Sequence, residues 1–348
     1  MKFIKEIKRL YDELPEAFQF TGLVLATGLL ILLAYGVNIL NTPVSQSKQE
    51  FRINEGLTVK KIAEKLEHKD IINDLDKFIM AVKIKGKSKQ LKAGFYRVKN
   101  VDNYSQLINM LVANHQYAVK ITIPEGSTNQ EIAQIVSPYY SFSDSNFLAT
   151  TKKDELINSY NLDVNTLEGY LFPDTYYFVP EATPEKIIRK MVKTLFSRIK
   201  NLQPQIESSS YTLHEILTLA SIVEGECILD KERPIVASLY YNRLRKRMHL
   251  NADPTIQYII PDGPRRIFNG DLEISSPYNT YINYGLPPGP VNNPGLKSIQ
   301  AAVNPADTDY LYMVAKGNGE HVFTRNYNQF LKYKQDFQQY RQKVNNQK

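Results

Sequence analysis

Apolar and polar positions change their pattern three times along the chain. From Ala17 to Ser47 there is no charged residue, and Phe20 to Leu40 is mostly Leu, Ile, Val, Ala and Gly. At about 1.5 Å per residue, such a helix crosses a hydrocarbon core of about 30 Å. A buried core helix fits poorly with so long an uncharged run. A cleaved signal peptide is disfavoured by the same length and by the lack of a clear small-x-small site after it. Lys2, Lys5, Lys8 and Arg9 precede the span, interspersed with Glu6, Asp12, Glu13 and Glu16, while Lys48 and Arg52 follow it. Basic residues weigh most in orienting a span. The expected layout is a cytoplasmic tail (1–17), a single transmembrane anchor (18–40), a polar linker (41–50) and the remainder outside the membrane, in a bacterial envelope.

Beyond the linker a pattern occurs twice. Phe51–Leu66 (FRINEGLTVKKIAEKL) and Ile121–Val136 (ITIPEGSTNQEIAQIV) coincide at Ile53/Ile123, Glu55/Glu125, Gly56/Gly126, Thr58/Thr128, Ile62/Ile132 and Ala63/Ala133. Each copy predicts a short alternating strand, a Glu-Gly turn, a Thr cap and a helix with an apolar i, i+4 stripe. The first copy resembles the LysM module, a small fold that binds N-acetylated cell-wall glycans; a strand–turn–helix unit without a ligand fits the residues equally well. Between the copies, helices are expected at 74–85 and 103–112 and a strand at 92–98.

After residue 150 helices dominate. Thr183-Pro184-Glu185 is a strong helix start, with a cap, Pro at the first position and an acid in the first turn. That helix is expected to run to about Leu202, followed by helices at 212–227 and 231–248. Strands at 310–315 and 321–324 flank Lys316-Gly317-Asn318-Gly319 as a hairpin, and a polar helix over 326–344 closes the chain. The fold class is α+β: one N-terminal transmembrane helix, a LysM-like βα subdomain (51–118), then a helix-rich α+β domain (119–348) ending in a β-hairpin and helix.

Composition narrows the picture modestly. The 348 residues are 43% apolar and 23% charged, which excludes a mainly disordered or fibrous chain. A net charge of +7 is spread too widely to identify an anionic partner. The single cysteine, Cys227, permits no internal disulfide and no Cys-based zinc site.

Candidate chemistry centres on Leu213–Glu226 (LHEILTLASIVEGE). On a helix, Leu213, Leu217, Ala220 and Glu224 share one stripe, and Ile216, Leu219, Ile222 and Val223 make most of the circumference apolar. Desolvation at the end of such a stripe favours a protonated carboxyl, the state a general acid needs at a glycosidic oxygen. A Glu at a helix end, bonded to a neighbouring Arg or capping another group, is the alternative. Downstream lie Asn242-Arg243-Leu244, then Asp253 and Thr255 at a Pro turn, then Ser276–Tyr281 (SPYNTY). Gly285–Gly295 (GLPPGPVNNPG) is a stiff loop of four prolines and three glycines in eleven residues. Amides, hydroxyls and aromatic faces of this kind suit a sugar-binding cleft.

SIVEGE, NRL, ADPT, SPYNTY, GLPPGPVNNPG and YLYMVAKGNGEHVF occur in the order found in the endolytic murein transglycosylases, and with the apolar span and the LysM-like region the chain resembles this YceG-like family along nearly its whole length. The resemblance implies that Glu224 is the catalytic acid and base and that Glu226 completes an E-x-E pattern, more orienting than catalytic. It implies lytic cleavage of the bond between N-acetylmuramic acid and N-acetylglucosamine, with a 1,6-anhydro product, strand termination and no cofactor or metal. Peptidoglycan glycan strands are the implied substrate and peptidoglycan synthases the implied partners, at the inner membrane. Candidate sugar contacts are Asp253, Gln257, Asn279 and Tyr281, joined by Asn242, Thr255, Tyr278, Pro288 and Asn293. Gly225 stands where a basic residue is usual and is expected to loosen the helix end; Met313 stands where Phe is commoner.

Other chemistries lack their residues. The five histidines show no HxxxH or HExxH spacing, and no GxSxG elbow or Gly-rich phosphate loop occurs. Ser45–Lys48 fits SxxK only within the linker. Cys227 has no His motif to activate it. Arg243–Arg247 (RLRKR) reads as a solvated helix face, not a nucleic-acid contact. A hydrolytic muramidase would need a second carboxylate, with Asp253 or Glu226 available, and a non-catalytic wall-binding scaffold would have no use for a buried Glu224.

Overall fold

The computed structural model describes residues 4, 6, 9, 15–45, 49–113, 117–261 and 263–346. Lys2, Lys5, Lys8 and most of the expected cytoplasmic tail, together with Lys48 of the linker, lie outside the described residues. The chain divides into two units, Met1–Ala118 and Val119–Lys348.

In the first unit, helix α1 (Glu16–Leu40) contains a 21-residue segment, Phe20–Leu40, long and apolar enough to cross a membrane. Its Leu, Ile and Val side chains are largely exposed. The hydroxyl of Thr27 donates back to the carbonyls of Leu23 and Val24, so this polar group is satisfied inside the helix. Strand β1 (Glu50–Ile53) leads through the Glu55-Gly56 turn into α2 (Val59–His68), with Thr58 accepting from the Lys61 amide at 3.3 Å. Helix α3 (Leu75–Ile84) starts on an Asp74 cap, and β2 (Gly94–Arg97) returns antiparallel to β1, pairing Phe51 with Tyr96. Helix α4 (Tyr104–Val112) follows, capped by Asn103. Phe51, Leu66, Phe78, Tyr96 and Leu107 form its core.

The second unit repeats the opening move. Strand β3 (Val119–Thr122) and a Glu125-Gly126 turn lead to α5 (Asn129–Val136), where Thr128 and Glu131 form a reciprocal capping box. Here β3 pairs antiparallel with β4 (Thr175–Phe178), after the short helices α6 (Asp144–Thr151) and α7 (Asp154–Asn158). Helix α8 (Pro184–Arg198) begins on the Thr183 cap but stops four residues before the expected Leu202, the chain tightening into a 3₁₀ turn at Lys200–Leu202. After α9 (Gln203–Ser208), helix α10 (Leu213–Glu226) runs through the centre of this unit. Every residue from Ile216 to Val223 is buried, as its nearly all-round apolar sequence requires.

Helix α11 (Arg233–Arg245) ends three residues short of Met248, because Arg247 takes a left-handed conformation (φ 52°). The ADPT segment is not a turn. It opens helix α12 (Asp253–Ile259), whose first turn accommodates Pro254 because an N–H there would have no intrahelical partner. Helix α13 (Leu296–Val303) packs against α10 and α11. Strands β5 (Tyr312–Ala315) and β6 (His321–Thr324) pair antiparallel, and α14 (Tyr327–Asn346) packs on both.

Candidate active site

The last turn of α10 brings Gly225, flanked in the chain by Glu224 and Glu226, into the wall of a cleft of 1370 Å³ that also includes Gly126, Asn129, Glu168, Asp253, Tyr258, Tyr278 and Asn292. That volume exceeds the range usual for small-ligand pockets, about 300–1,000 Å³, and leaves room for a polymer. The side chain of Glu224 is 8% exposed, yet it is not surrounded only by apolar groups, as its stripe suggested. Arg233 Nη1 stands 3.1 Å from one carboxyl oxygen, and the Gly295 amide donates to the other at 2.9 Å. Arg233, itself buried, is held by Ser298 Oγ and by Asp230 at 3.2 Å.

Glu125, from the second strand–turn–helix copy, joins this group. Its carboxyl packs on the Cα of Gly295, where any added Cβ would overlap it. Burial and then the neighbouring Glu224 carboxylate hold Glu125 above the usual carboxylate range, while Arg233 and Lys297 oppose them. Sequence reasoning did not place Glu125 or Arg233 in the site. The repeat drew attention to Glu125, but its position beside Glu224 depends on contacts far away in sequence.

Asn293 makes those contacts. Its backbone amide donates to Ser127 O, and its carbonyl accepts from the Gly126 amide, both at 2.9 Å. Its side-chain oxygen accepts from the Leu171 amide at 2.8 Å. Its Nδ2 donates to Ser127 O (2.9 Å), Asn129 Oδ1 (3.1 Å) and Glu168 Oε1 (3.1 Å). The proline-rich loop is thereby fastened to the Glu125-Gly126 turn. The same loop is fastened to the helix that carries Glu224. Ser221 Oγ accepts from the Val291 amide at 3.0 Å, and Ser221 O accepts from Asn292 Nδ2 at 2.9 Å. At the far end His214 Nε2 donates to Pro288 O at 3.0 Å, which leaves Nδ1 to accept from the Tyr170 hydroxyl.

Glu168, which the sequence reading passed over, is buried beneath this junction and accepts from the Asn129 amide at 2.9 Å. Burial pushes its pKa up to about 8, so it carries its proton at neutral pH. Glu226 accepts from the Tyr240 hydroxyl at 2.9 Å, and burial followed by the Asp253 charge pushes it up to about 7. Gly225 does not loosen the helix, which continues through Glu226. A Cβ at Gly225 would stand 2.6 Å from Pro254 Cγ, so glycine permits α12 to approach α10.

The remaining candidates separate into two groups. Asp253, Gln257 and Tyr278 line the cleft; Asp253 accepts from the Tyr281 hydroxyl at 2.5 Å, and Gln257 is bonded through both ends of its amide to the backbone of Arg265. Asn242, Thr255 and Asn279 are buried and hold backbone. Asn242 donates to Thr308 O and Tyr310 O, and Asn279 to Leu272 O and Ile274 O, while Thr255 bonds Ala252 O and Thr280. Pro288 is exposed and contributes only the carbonyl that His214 meets. Cys227 is buried, and burial pushes its thiol up to about 12, which removes it as a nucleophile at neutral pH.

Relatives were identified by sequence and by structure. The chain is 36% identical over 321 residues to the endolytic murein transglycosylase of Bacillus subtilis, covering 87% of this chain and 89% of that protein. It is 30% identical over 305 residues to the endolytic murein transglycosylase of Streptococcus pneumoniae, covering 79% of this chain and 55% of that longer protein. A crystal structure of a putative yceG-like protein from Listeria monocytogenes superimposes with a TM-score of 0.58 at 33% identity, covering 83% of this chain and 99% of the other. The profile of the YceG-like family matches residues 51–336, and with these relatives it shows that the chain belongs to the YceG-like family.

Proposed function

We propose that this protein is a membrane-anchored lytic transglycosylase that cuts the β-1,4 bond between N-acetylmuramic acid and N-acetylglucosamine within peptidoglycan strands. The observation that carries the reading is the Glu224 carboxyl, held between Arg233 and the Gly295 amide and adjacent to Gly126 and Gly225 of the wall of a polymer-sized cleft. Its relatives' names give the substrate class.

In the proposed reaction Glu224 passes its proton to the glycosidic oxygen as the C1–O bond breaks and an oxocarbenium-like state develops. Arg233 and the Gly295 amide stabilise the carboxylate left behind. That carboxylate then takes the proton of the C6 hydroxyl as its oxygen bonds to C1, closing the 1,6-anhydro ring. The proton that Glu224 gives to the leaving oxygen is replaced by that of the C6 hydroxyl, and no water is consumed. The hydrolytic alternative would take Asp253 or Glu226 as its second carboxylate; each accepts from a tyrosine hydroxyl, and the cleavage products separate the two readings. Glu125 sets the local charge beside Glu224. Asp253, Gln257, Tyr278 and Tyr281 form the sugar-facing side, whereas Asn242, Thr255, Asn279, Pro288 and Asn293 position the loops.

Residues 18–40 are the proposed anchor, with the tail in the cytoplasm, so that cutting takes place beside the membrane where synthases extend strands. The LysM-like reading of 51–118 rests on its strand–turn–helix opening and remains part of the proposal.

The test uses the full chain in detergent on purified peptidoglycan, with soluble fragments read by mass spectrometry. Muramic ends lighter by one water are expected, and Glu224→Gln lowers their rate by about a thousandfold while leaving thermal unfolding unchanged. Hydrated reducing ends would mean a muramidase, and undiminished cutting by the variant would remove Glu224 from its role.

A further inference from the structure

Outside the cleft, a groove of 690 Å³ runs between α8 and β4, and it shares no lining residue with the cleft. Helix α8 supplies Lys186, Arg189, Lys190, Lys193 and Arg198 to its lining, and Asp174 is the acid among the described lining residues. A helix face that is merely solvated mixes charges of both signs, because like charges three or four residues apart repel. This face does the opposite. Lys186 stands at those spacings from Arg189 and Lys190, and Lys193 stands at them from the same two residues.

The cations are not equivalent. Arg189 is held by Glu185 at 2.8 Å and Arg198 by Asp174 at 2.7 Å. Lys190 Nζ donates to Tyr177 O at 2.8 Å, which leaves two of its three N–H donors. Lys186 and Lys193 are exposed, and their ammonium groups make no ion pair or hydrogen bond among the described residues. They are one heptad apart, about 10 Å along the axis, and a heptad returns to the same helix face within about 20°. Three ammonium groups therefore stand in a row over two turns, while the guanidinium groups beside them are already paired.

The strand side of the groove sets a second limit. The Ile123 amide donates to Asp174 O at 3.0 Å, and Ile121 lies opposite Tyr176. Asp174 and Tyr176 thus turn their backbone groups to β3, and Thr175 and Tyr177 turn theirs to the groove. Two of those outward groups are taken within the chain, Tyr177 O by Lys190 and the Thr175 amide by Asp174 Oδ1 at 2.7 Å. An added peptide strand finds this edge closed. A guest must be held through its charge.

We infer that this groove binds a linear phosphodiester polymer, with successive phosphates seated on Lys186, Lys190 and Lys193. A flat bilayer surface meets convex basic faces, whereas a groove beside one helix admits a single chain. Planar carboxylates gain most from the bidentate fork of a guanidinium, and here Glu185 and Asp174 already occupy both guanidinium groups. An ammonium acts as a compact point charge, which suits a tetrahedral phosphate diester whose charge is shared between two oxygens. Bound phosphates also offset the repulsion along α8. Neither Lys186 nor Lys193 takes part in the proposed cutting reaction.

The experiment follows a fluorescently labelled glycerol phosphate oligomer by anisotropy, with the full chain in neutral detergent at about 50 and about 200 mM salt. A polyglutamate of equal charge number is the second probe, and detergent micelles carrying an anionic phospholipid are the competitor. The oligomer is expected to bind about tenfold more tightly than polyglutamate. Lys186→Gln/Lys193→Gln should weaken it about tenfold at the lower salt and reduce the slope of log affinity against log salt by about 1.4, roughly 0.7 for each ammonium removed. Lys332→Gln/Lys334→Gln, which removes the same charge from exposed lysines on α14, should change neither. Thermal unfolding confirms that both variants are folded. Equal weakening by the two variants would reveal a general effect of net charge and overturn the groove. No weakening by the first variant, equal or tighter binding of polyglutamate, or displacement of the oligomer by the phospholipid at matched phosphate overturns it as well.

Discussion

The two strand–turn–helix copies are built alike and used differently. Gly56 and Gly126 share a left-handed conformation (φ 75° and 77°), and Thr58 and Thr128 cap the following helices with nearly identical backbone angles. Around Gly56 nothing lies within 4 Å of a notional Cβ, and Glu55 is exposed. In the second copy the Gly126 amide is bonded to Asn293, a notional Cβ would touch Glu224 at 3.5 Å, and Glu125 packs on Gly295. The local sequence makes the same turn twice. Only the turn that a distant loop fastens beside α10 becomes part of a site.

The largest expected effect comes from unfastening that turn. Asn293→Ala strands the Leu171 amide and Asn129 Oδ1 and removes one of the bonds to Ser127 O and to Glu168, and should destabilise the second unit by about 3 kcal/mol with loss of activity. Denaturant unfolding checks this, and a loss below about 1 kcal/mol would show that the copies do not differ through the clasp. Next, Glu125→Gln should lower the cutting rate roughly tenfold and shift its pH profile, whereas Glu55→Gln leaves both unchanged; equal effects would erase the contrast.

A pH prediction separates the units further. The native second unit keeps a proton on Glu168 that the unfolded chain releases above its usual carboxylate range. Stability should therefore fall, by up to about 1.4 kcal/mol per pH unit, as pH rises toward about 8, and Glu226 adds a smaller contribution ending near 7. Glu168→Gln should flatten the slope, and an unchanged slope would place the proton elsewhere. Smallest is the cap itself. Thr58→Ala and Thr128→Ala should each cost about 1 kcal/mol in their own units, since in both copies the Thr side chain accepts from the amide three residues on.

How much of this could be read in the sequence follows the range of the interactions. Thr58, Thr128 and Thr183 were legible as caps because a cap involves residues three apart. The buried helix bearing Glu224 was legible from its periodicity. What failed was local chemistry with a second valid outcome: Asp253-Pro254-Thr255 serves a turn or a helix start, and packing on Gly225 selects the helix. What could not be read at all were pairings across long separations. Arg233 looks like any helix-start arginine, and Glu125 like its counterpart Glu55. Asn242, Thr255 and Asn279 had the right chemistry for sugar, but their hydrogen bonds are consumed by backbone inside the fold. Asn293 illustrates the same point more strongly, since each of its partners lies more than a hundred residues away.

The clasp between Ser127 and Asn293 spans 166 residues, and this has a consequence for the timing of synthesis. A growing chain completes the helix bearing Glu224 well before the loop that supplies the Gly295 amide and the helix that supplies Ser298 to Arg233. At about 5–20 residues per second, the two ends of the clasp are made on the order of ten to thirty seconds apart. Any nascent or prematurely terminated chain ending before Gly295 thus carries Glu224 without the amide that holds it, and the cradle is complete only with the last sixth of the protein.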